Sequence, residues 1–162
     1  MSEPAANGQD GAAAQGPVLI INAQYVRDLS FENPRAPESL MGQSAPPEVG
    51  VEIDVKARQI SPELFEVVLS FQVQARTGDD VAFLIELDYG AVLTIRNAAP
   101  EMIAALLLVE APRILFPFAR AIISNATRDG GFPPLLLNPV DFADLQRRKA
   151  QQAQQASDTA QA

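Results

Sequence analysis

Residues 64–75, LFEVVLSFQVQA, decide the fold. Phe65, Val67, Leu69, Phe71 and Val73 alternate with Glu66, Ser70, Gln72 and Gln74. A period of two predicts a strand with one buried and one wet face. Working outward, residues 49–55 set Val49, Val51, Ile53 and Val55 against Gly50, Glu52 and Asp54, and a turn around Ser61-Pro62 links the two runs. After the turn at Thr77-Gly78-Asp79, residues 81–90 place Val81, Phe83, Ile85, Leu87 and Tyr89 on one face and Ala82, Leu84, Glu86 and Asp88 on the other. Upstream, residues 18–31 predict a further strand, broken by a bulge and ending before Asn33-Pro34. Its later half turns Leu29 and Phe31 one way and Asp28, Ser30 and Glu32 the other. The first half is therefore a four-stranded antiparallel sheet with one apolar face and one acidic solvent face. The long proline-rich connection at 33–48 leaves the strand order open.

The second half supplies the cover. Residues 100–110 form a short helix apolar on nearly every side (Met102, Ile103, Leu106, Leu107, Val109), the pattern of a helix buried on more than one side, as at a subunit interface. A second helix is predicted over 113–128, with a narrow polar stripe at Arg113, Pro117, Arg120, Ser124 and Thr127 and a cap at Gly130-Gly131. Then comes a connection rich in apolar residues, GFPPLLLNPV at 131–140. Asn138-Pro139 or Asp141 opens a last helix through Phe142 and Leu145. Strands followed by helices give the α+β class.

The chain has 162 residues, no cysteine and no histidine. That removes disulfides, thiolate chemistry, the commonest general base and the commonest transition-metal ligand. Net charge is −8, and the twelve acids and four bases between Asp28 and Asp88 account for all of it. Such a surface disfavours nucleic acid and anionic lipid and attracts a basic partner. The N-terminus lacks a secretory signal, and Glu110, Pro112, Arg113, Pro117 and Arg120 interrupt the most apolar window, so the expectation is a cytoplasmic chain with no membrane insertion. Residues 1–16 read as a disordered tail, 17–146 as one domain, and 147–162 as a flexible tail continuing a fraying helix.

Enzyme candidates are weak. Glu52/Asp54, Glu86/Asp88 and Asp79/Asp80 pair carboxylates, but alternation assigns them to a solvated sheet face or a turn, and no phosphate loop or metal-ligand spacing exists. Binding candidates are better. Asp28, Ser30 and Glu32 with Leu84 and Glu86 make an acidic patch holding one leucine, a docking surface for a basic partner. The connections at 33–48 and 131–140 carry Leu40, Met41, Phe132, Leu135, Leu136 and Leu137. They either pack on the sheet ends or form a groove for extended apolar polypeptide.

The segment ILFPFARAIISNATRDGGFPPLLLNPVDF at 114–142 closely resembles the signature region of the SecB family of bacterial export chaperones. SFENP at 30–34, LFEVVLSFQVQAR at 64–76 and AFLIELDYG at 82–90 extend the match over roughly 20–145. The resemblance implies a SecB-like fold and a homotetramer, a dimer of dimers. It implies a holdase that keeps unfolded precursor proteins translocation-competent and delivers them to the translocase ATPase SecA, with no ATP, cofactor, metal or catalytic residue of its own. It places SecA contacts at Asp28, Glu32, Leu84 and Glu86, and a client groove at Phe31, Leu40, Met41, Phe132, Leu135, Leu137 and Val140. The oligomer interface falls at Met102, Ile103, Leu106 and Leu107. The tail departs from the family: it has no histidine or glutamate and carries Arg147, Arg148 and Lys149, which puts a second, tail-borne SecA contact in question. The alternative reading is an oligomeric peptide-binding adaptor of the same fold without an export role.

Overall fold

Four long strands arise where the alternation places them: β1 Val18–Glu32, β2 Glu48–Ser61, β3 Leu64–Thr77 and β4 Asp80–Arg96. The structure, a computed structural model, describes residues 16–42 and 45–160. The tail expected at 1–16 therefore lies, but for Gly16, outside the described residues. All neighbours are antiparallel, in the order β1-β4-β3-β2. The 33–48 connection crosses two strands, so β1 and β2 form opposite edges.

Two strands run further than their patterns. β4 continues past Gly90 to Arg96, because Gly90 is a close approach and not a stop: a Cβ there would lie 2.6 Å from Cζ of Tyr25, whose ring lies over it. β2 continues through the polar run KARQIS, held by its ladder to β3. β1 carries two register shifts, at Asn22 and Arg27. The second sets which way the strand faces: it lets Asp28, Ser30 and Glu32 share one side while Val26, Leu29 and Phe31 share the other.

The two helices expected at 100–110 and 113–128 are one continuous helix, a correction with a local cause. α1, Pro100–Ala105, passes through a π-helical turn, Leu106–Glu110, into α2, Ala111–Asp129. Ala111 N–H donates to Leu106 C=O five residues back. The widened turn falls where Pro112 would otherwise end the helix. By length and composition alone this helix is long and apolar enough to cross a membrane. That corrects the expectation that its charges and prolines rule out a span. Here it lies on the sheet, with Leu115, Ala119 and Ile123 fully buried over the inner faces of β3 and β4.

The core is the inner row of β3 (Phe65, Val67, Leu69, Phe71, Val73) and of β4 (Phe83, Ile85, Leu87, Tyr89, Leu93) under α2. A chain of rings, Phe71–Phe116 at 6.3 Å and Phe116–Phe142 at 6.1 Å, ties sheet, α2 and the last helix together. That helix, α3 Phe142–Ala160, runs through most of the range expected as a flexible tail. The helix cover stops short of β1, leaving Val26 and Leu29 exposed on the inner face.

Candidate functional site

The apolar connection after α2 is pinned at both ends by backbone chemistry. Gly131, with φ at +90°, ends the helix: Phe132 N–H donates to Thr127 C=O (3.0 Å) and Gly131 N–H to Arg128 C=O (3.0 Å). This is the Schellman closure that a left-handed residue permits. Thr127, placed by its spacing on the polar stripe, is instead fully buried. Its hydroxyl shares its proton between the carbonyls of Ser124 (2.9 Å) and Ile123 (3.2 Å) and accepts from Leu135 N–H (2.9 Å). One buried side chain thus satisfies a loop amide that would otherwise be costly to desolvate. At the far end Asp141 caps α3, accepting from Asp144 N–H (2.9 Å). That hydrogen bond holds its carboxyl below the usual carboxylate range.

Between these pins the leucines point different ways. Leu137 is buried, Leu135 is half-buried and Leu136 is 65% exposed. Together with Val49, Val51 and Ile53 of β2 and Val140 and Leu145, Leu136 lines a cleft of about 520 Å³ along the β2 edge, to which Asn138, Asp141 and Arg148 add polar groups. Val49 and Val51, 39% and 37% exposed, face the helix side but lie beyond its cover.

A second apolar place forms where β1 meets the end of α2. Phe31, Phe83 and Phe132 cluster, with centroids 5.9 Å (Phe31–Phe83) and 4.8 Å (Phe83–Phe132) apart. A Cβ on Gly130 would strike the Phe31 ring, and one on Gly131 would meet Leu40 at 3.1 Å. The connection after β1 is held there by the Arg35–Asp80 ion pair and by Ser39 Oγ donating to Asn33 Oδ1 (2.6 Å). Met41 projects from it, 72% exposed.

The opposite face of the sheet is open except at the β2 side, where Arg148, Lys149 and Gln152 of α3 border Asp54 and Lys56. Register sets Glu32 beside Leu84 and Gln74, Ser30 beside Glu86 and Gln72, and Asp28 beside Asp88 and Ser70. Directly opposed residues share a face, so Asp28, Glu32, Leu84 and Glu86 form one patch. It extends across β2 through Glu48 and Glu52, enclosing a hollow of about 620 Å³. Among the described residues no group of three or more His, Cys, Asp or Glu side chains could hold a metal ion.

Residues 12–153 match the family model described as preprotein translocase subunit SecB. The chain belongs to the SecB family. It is 48% identical over 152 residues to the protein-export protein SecB of Rhodospirillum centenum, covering 91% of this chain and 90% of that one. It is 49% identical over 142 residues to the protein of the same name from a Bradyrhizobium species, covering 88% of each. In fold it is similar to a SecB-like chaperone of Mycobacterium tuberculosis solved with an antitoxin peptide. The TM-score is 0.62 at 16% identity, covering 75% of this chain and 90% of that one. SecB family membership carries a non-enzymatic, cytoplasmic chaperone role that delivers precursor proteins toward the SecA-linked export machinery.

Against the residues that SecB resemblance singled out, the geometry divides one groove into two places. Phe31, Leu40, Met41 and Phe132 gather at the β1 end; Leu135, Leu137 and Val140 lie along β2. Phe132 and Leu137 are buried, while Leu40 and Met41 are exposed. The interface set is likewise mixed: Met102 is exposed, Ile103 and Leu106 are half-buried, and Leu107 is buried in this chain's own core. Sequence reasoning assigned Val49, Val51 and Ile53 to the core; only the edge position of β2, which the pattern left open, reveals them as a cleft wall. The family resemblance singles out Leu135 and Leu137 but not Leu136, the most exposed of the three leucines. The basic cluster of the C-terminal stretch turns back on the sheet, where Lys149 pairs with Asp54, and Arg147 and Arg148 pair with Asp144 (3.2 and 2.9 Å). Burial raises the Asp54 carboxyl, but the bonds from Lys149 and Val55 N–H and the Lys149 and Lys56 charges outweigh it and leave it below the usual range.

Proposed function

We propose that this chain is an ATP-independent holdase that binds unfolded precursors along its apolar surfaces and docks SecA on its open, acidic sheet face. The cleft on the β2 edge carries the client reading. Its walls, Val49, Val51 and Leu136, stay exposed although the chain has a full core, and apolar area of this kind gains roughly 25 cal/mol per Å² when a greasy segment covers it. Phe31, Leu40 and Met41, with Phe132 beneath them, form the second client place. Asp28, Glu32, Leu84 and Glu86 form the SecA patch, where a leucine amid carboxylates supplies both steering and a contact.

The chain works as a homotetramer, a dimer of dimers, with residues 17–146 as its chaperone domain. Support comes from apolar surface that this chain leaves bare: Val26 and Leu29 on the β1 edge, and Met102, Ile114 and Phe118 on the long helix. Exposed edge strands and helix faces of this kind are stable when another copy covers them.

Glu86→Lys separates the two surfaces. Titrated with SecA, the variant is expected to lose about tenfold in affinity, since reversal converts an attractive contact into a repulsive one. Its affinity for an unfolded precursor should stay within about twofold, because the cleft lies on the other side of the sheet. Equal loss of both affinities would contradict separate surfaces.

A further inference from the structure

The open face changes sign partway along its strands. The row Asp28–Asp88–Ser70–Asp54 is acidic at its β1 and β4 end, Asp54 being paired with Lys149, and Glu52 and Glu86 are acidic one row beyond. In the other direction the next rows are Tyr25–Gly90–Val68–Lys56 and Ala23–Val92–Glu66–Arg58. The boundary is built from the backbone outward. On β2 it falls between Asp54 and Lys56, two residues apart on one face. On β1 it falls between neighbours, because the register shift at Arg27 sets both Arg27 and Asp28 toward the open side, where the Arg27 charge acts on Glu66.

The basic end has an ordered floor. Tyr25 lies across Gly90 and donates to Glu66, whose other oxygen accepts from Arg58 Nε. Glu66 is buried, so it offsets Arg58 without adding an accessible acid. Arg27 and Lys56 are exposed and, among the described residues, make no hydrogen bond or salt bridge. Two exposed cations here, Arg27 beside Glu66 and Lys56 beside Asp54, weaken the long-range pull on a basic partner. Their placement instead suits a partner that carries acid as well.

We propose that Arg27 and Lys56 form the second half of the partner surface. They receive acidic side chains of the same partner whose basic side chains meet Glu52 and Glu86, so the bound segment lies along the strands in one direction. This rests on the reading that SecA docks on the open face. Glu52 and Lys56 are four residues apart, roughly 13 Å along a strand, so the partner's basic and acidic groups are separated by about that length. Paired charges of both signs fix orientation, which a uniform acidic patch cannot do.

The test is calorimetric titration of SecA into the assembled wild type and into Lys56→Glu, Arg27→Gln and Glu86→Lys, with capture of an unfolded precursor as the control for folding. Lys56→Glu is expected to weaken SecA binding roughly fivefold and Arg27→Gln roughly threefold, with client capture unchanged. A uniformly acidic attraction makes the opposite forecast, since both changes leave the face more negative. Tighter or unchanged binding in both variants, with Glu86→Lys weakened, overturns the second pole and leaves the docking surface standing. Unchanged binding in Glu86→Lys removes the docking surface and this inference with it.

Discussion

Combining Val51→Asn with Leu136→Asp is expected to weaken capture of an unfolded precursor more than tenfold while leaving SecA binding within about twofold. Both side chains line the β2 cleft, one from the edge strand and one from the most exposed leucine of the apolar connection. A client segment seated there would have to desolvate a carboxylate and an amide without partners, at about 1–3 kcal/mol for the amide and more for the charge, and tenfold is only about 1.4 kcal/mol. Both positions are already exposed, so folding should change by less than about 1 kcal/mol. Asparagine at Val51 keeps the charge of the open face as it is. Competition binding with a labelled, urea-unfolded precursor reads the effect. A loss under twofold would move the client site to the Phe31–Leu40–Met41 end.

The largest effect on stability is expected from Phe142→Ala. Phe142 is 1% exposed and stands edge-on to Phe116, which in turn meets Phe71 of β3. Truncating a fully buried phenylalanine costs about 3–5 kcal/mol in lost transfer energy and cavity. Among the described residues no other ring joins α3 to this stack, so the variant should also loosen the wall that Leu145 and Arg148 lend to the cleft. Urea unfolding at fixed protein concentration measures the loss, since an oligomer's midpoint moves with concentration. Phe142→Leu should recover more than half of it. A cost under about 1.5 kcal/mol for the alanine variant would mean that α3 is held by other contacts.

The strands were legible because their physics is local. In β3 every second residue declares its face, and register did not need to be known. Legibility failed where a distant group set the outcome. Gly90 reads as a stop, yet it is the gap that Tyr25 fills from the neighbouring strand. Pro112 reads as a helix break, yet a π-helical turn carries the chain past it. Thr127 falls on a polar stripe by spacing, but the loop it anchors folds back over it. Pattern alone made Leu135, Leu136 and Leu137 equivalent; the Thr127–Leu135 bond and the α3 cap sort them into half-buried, exposed and buried. The acidic patch on β1 and β4 was legible because its four residues lie on strands whose faces were assigned correctly. Its extension onto β2, and the change of sign beyond Asp54, required the strand order. The basic residues at 147–149 looked like part of a free tail until α3 brought Lys149 back to Asp54.

Light scattering on the chromatographed protein, alone and after mixing with an equimolar amount of urea-unfolded, signal-bearing precursor without nucleotide, tests the central claim most directly. The expected result is a tetramer that takes up one client chain and keeps it from aggregating. A monomer whose mass does not change in the presence of client, with aggregation proceeding at its unassisted rate, would contradict it.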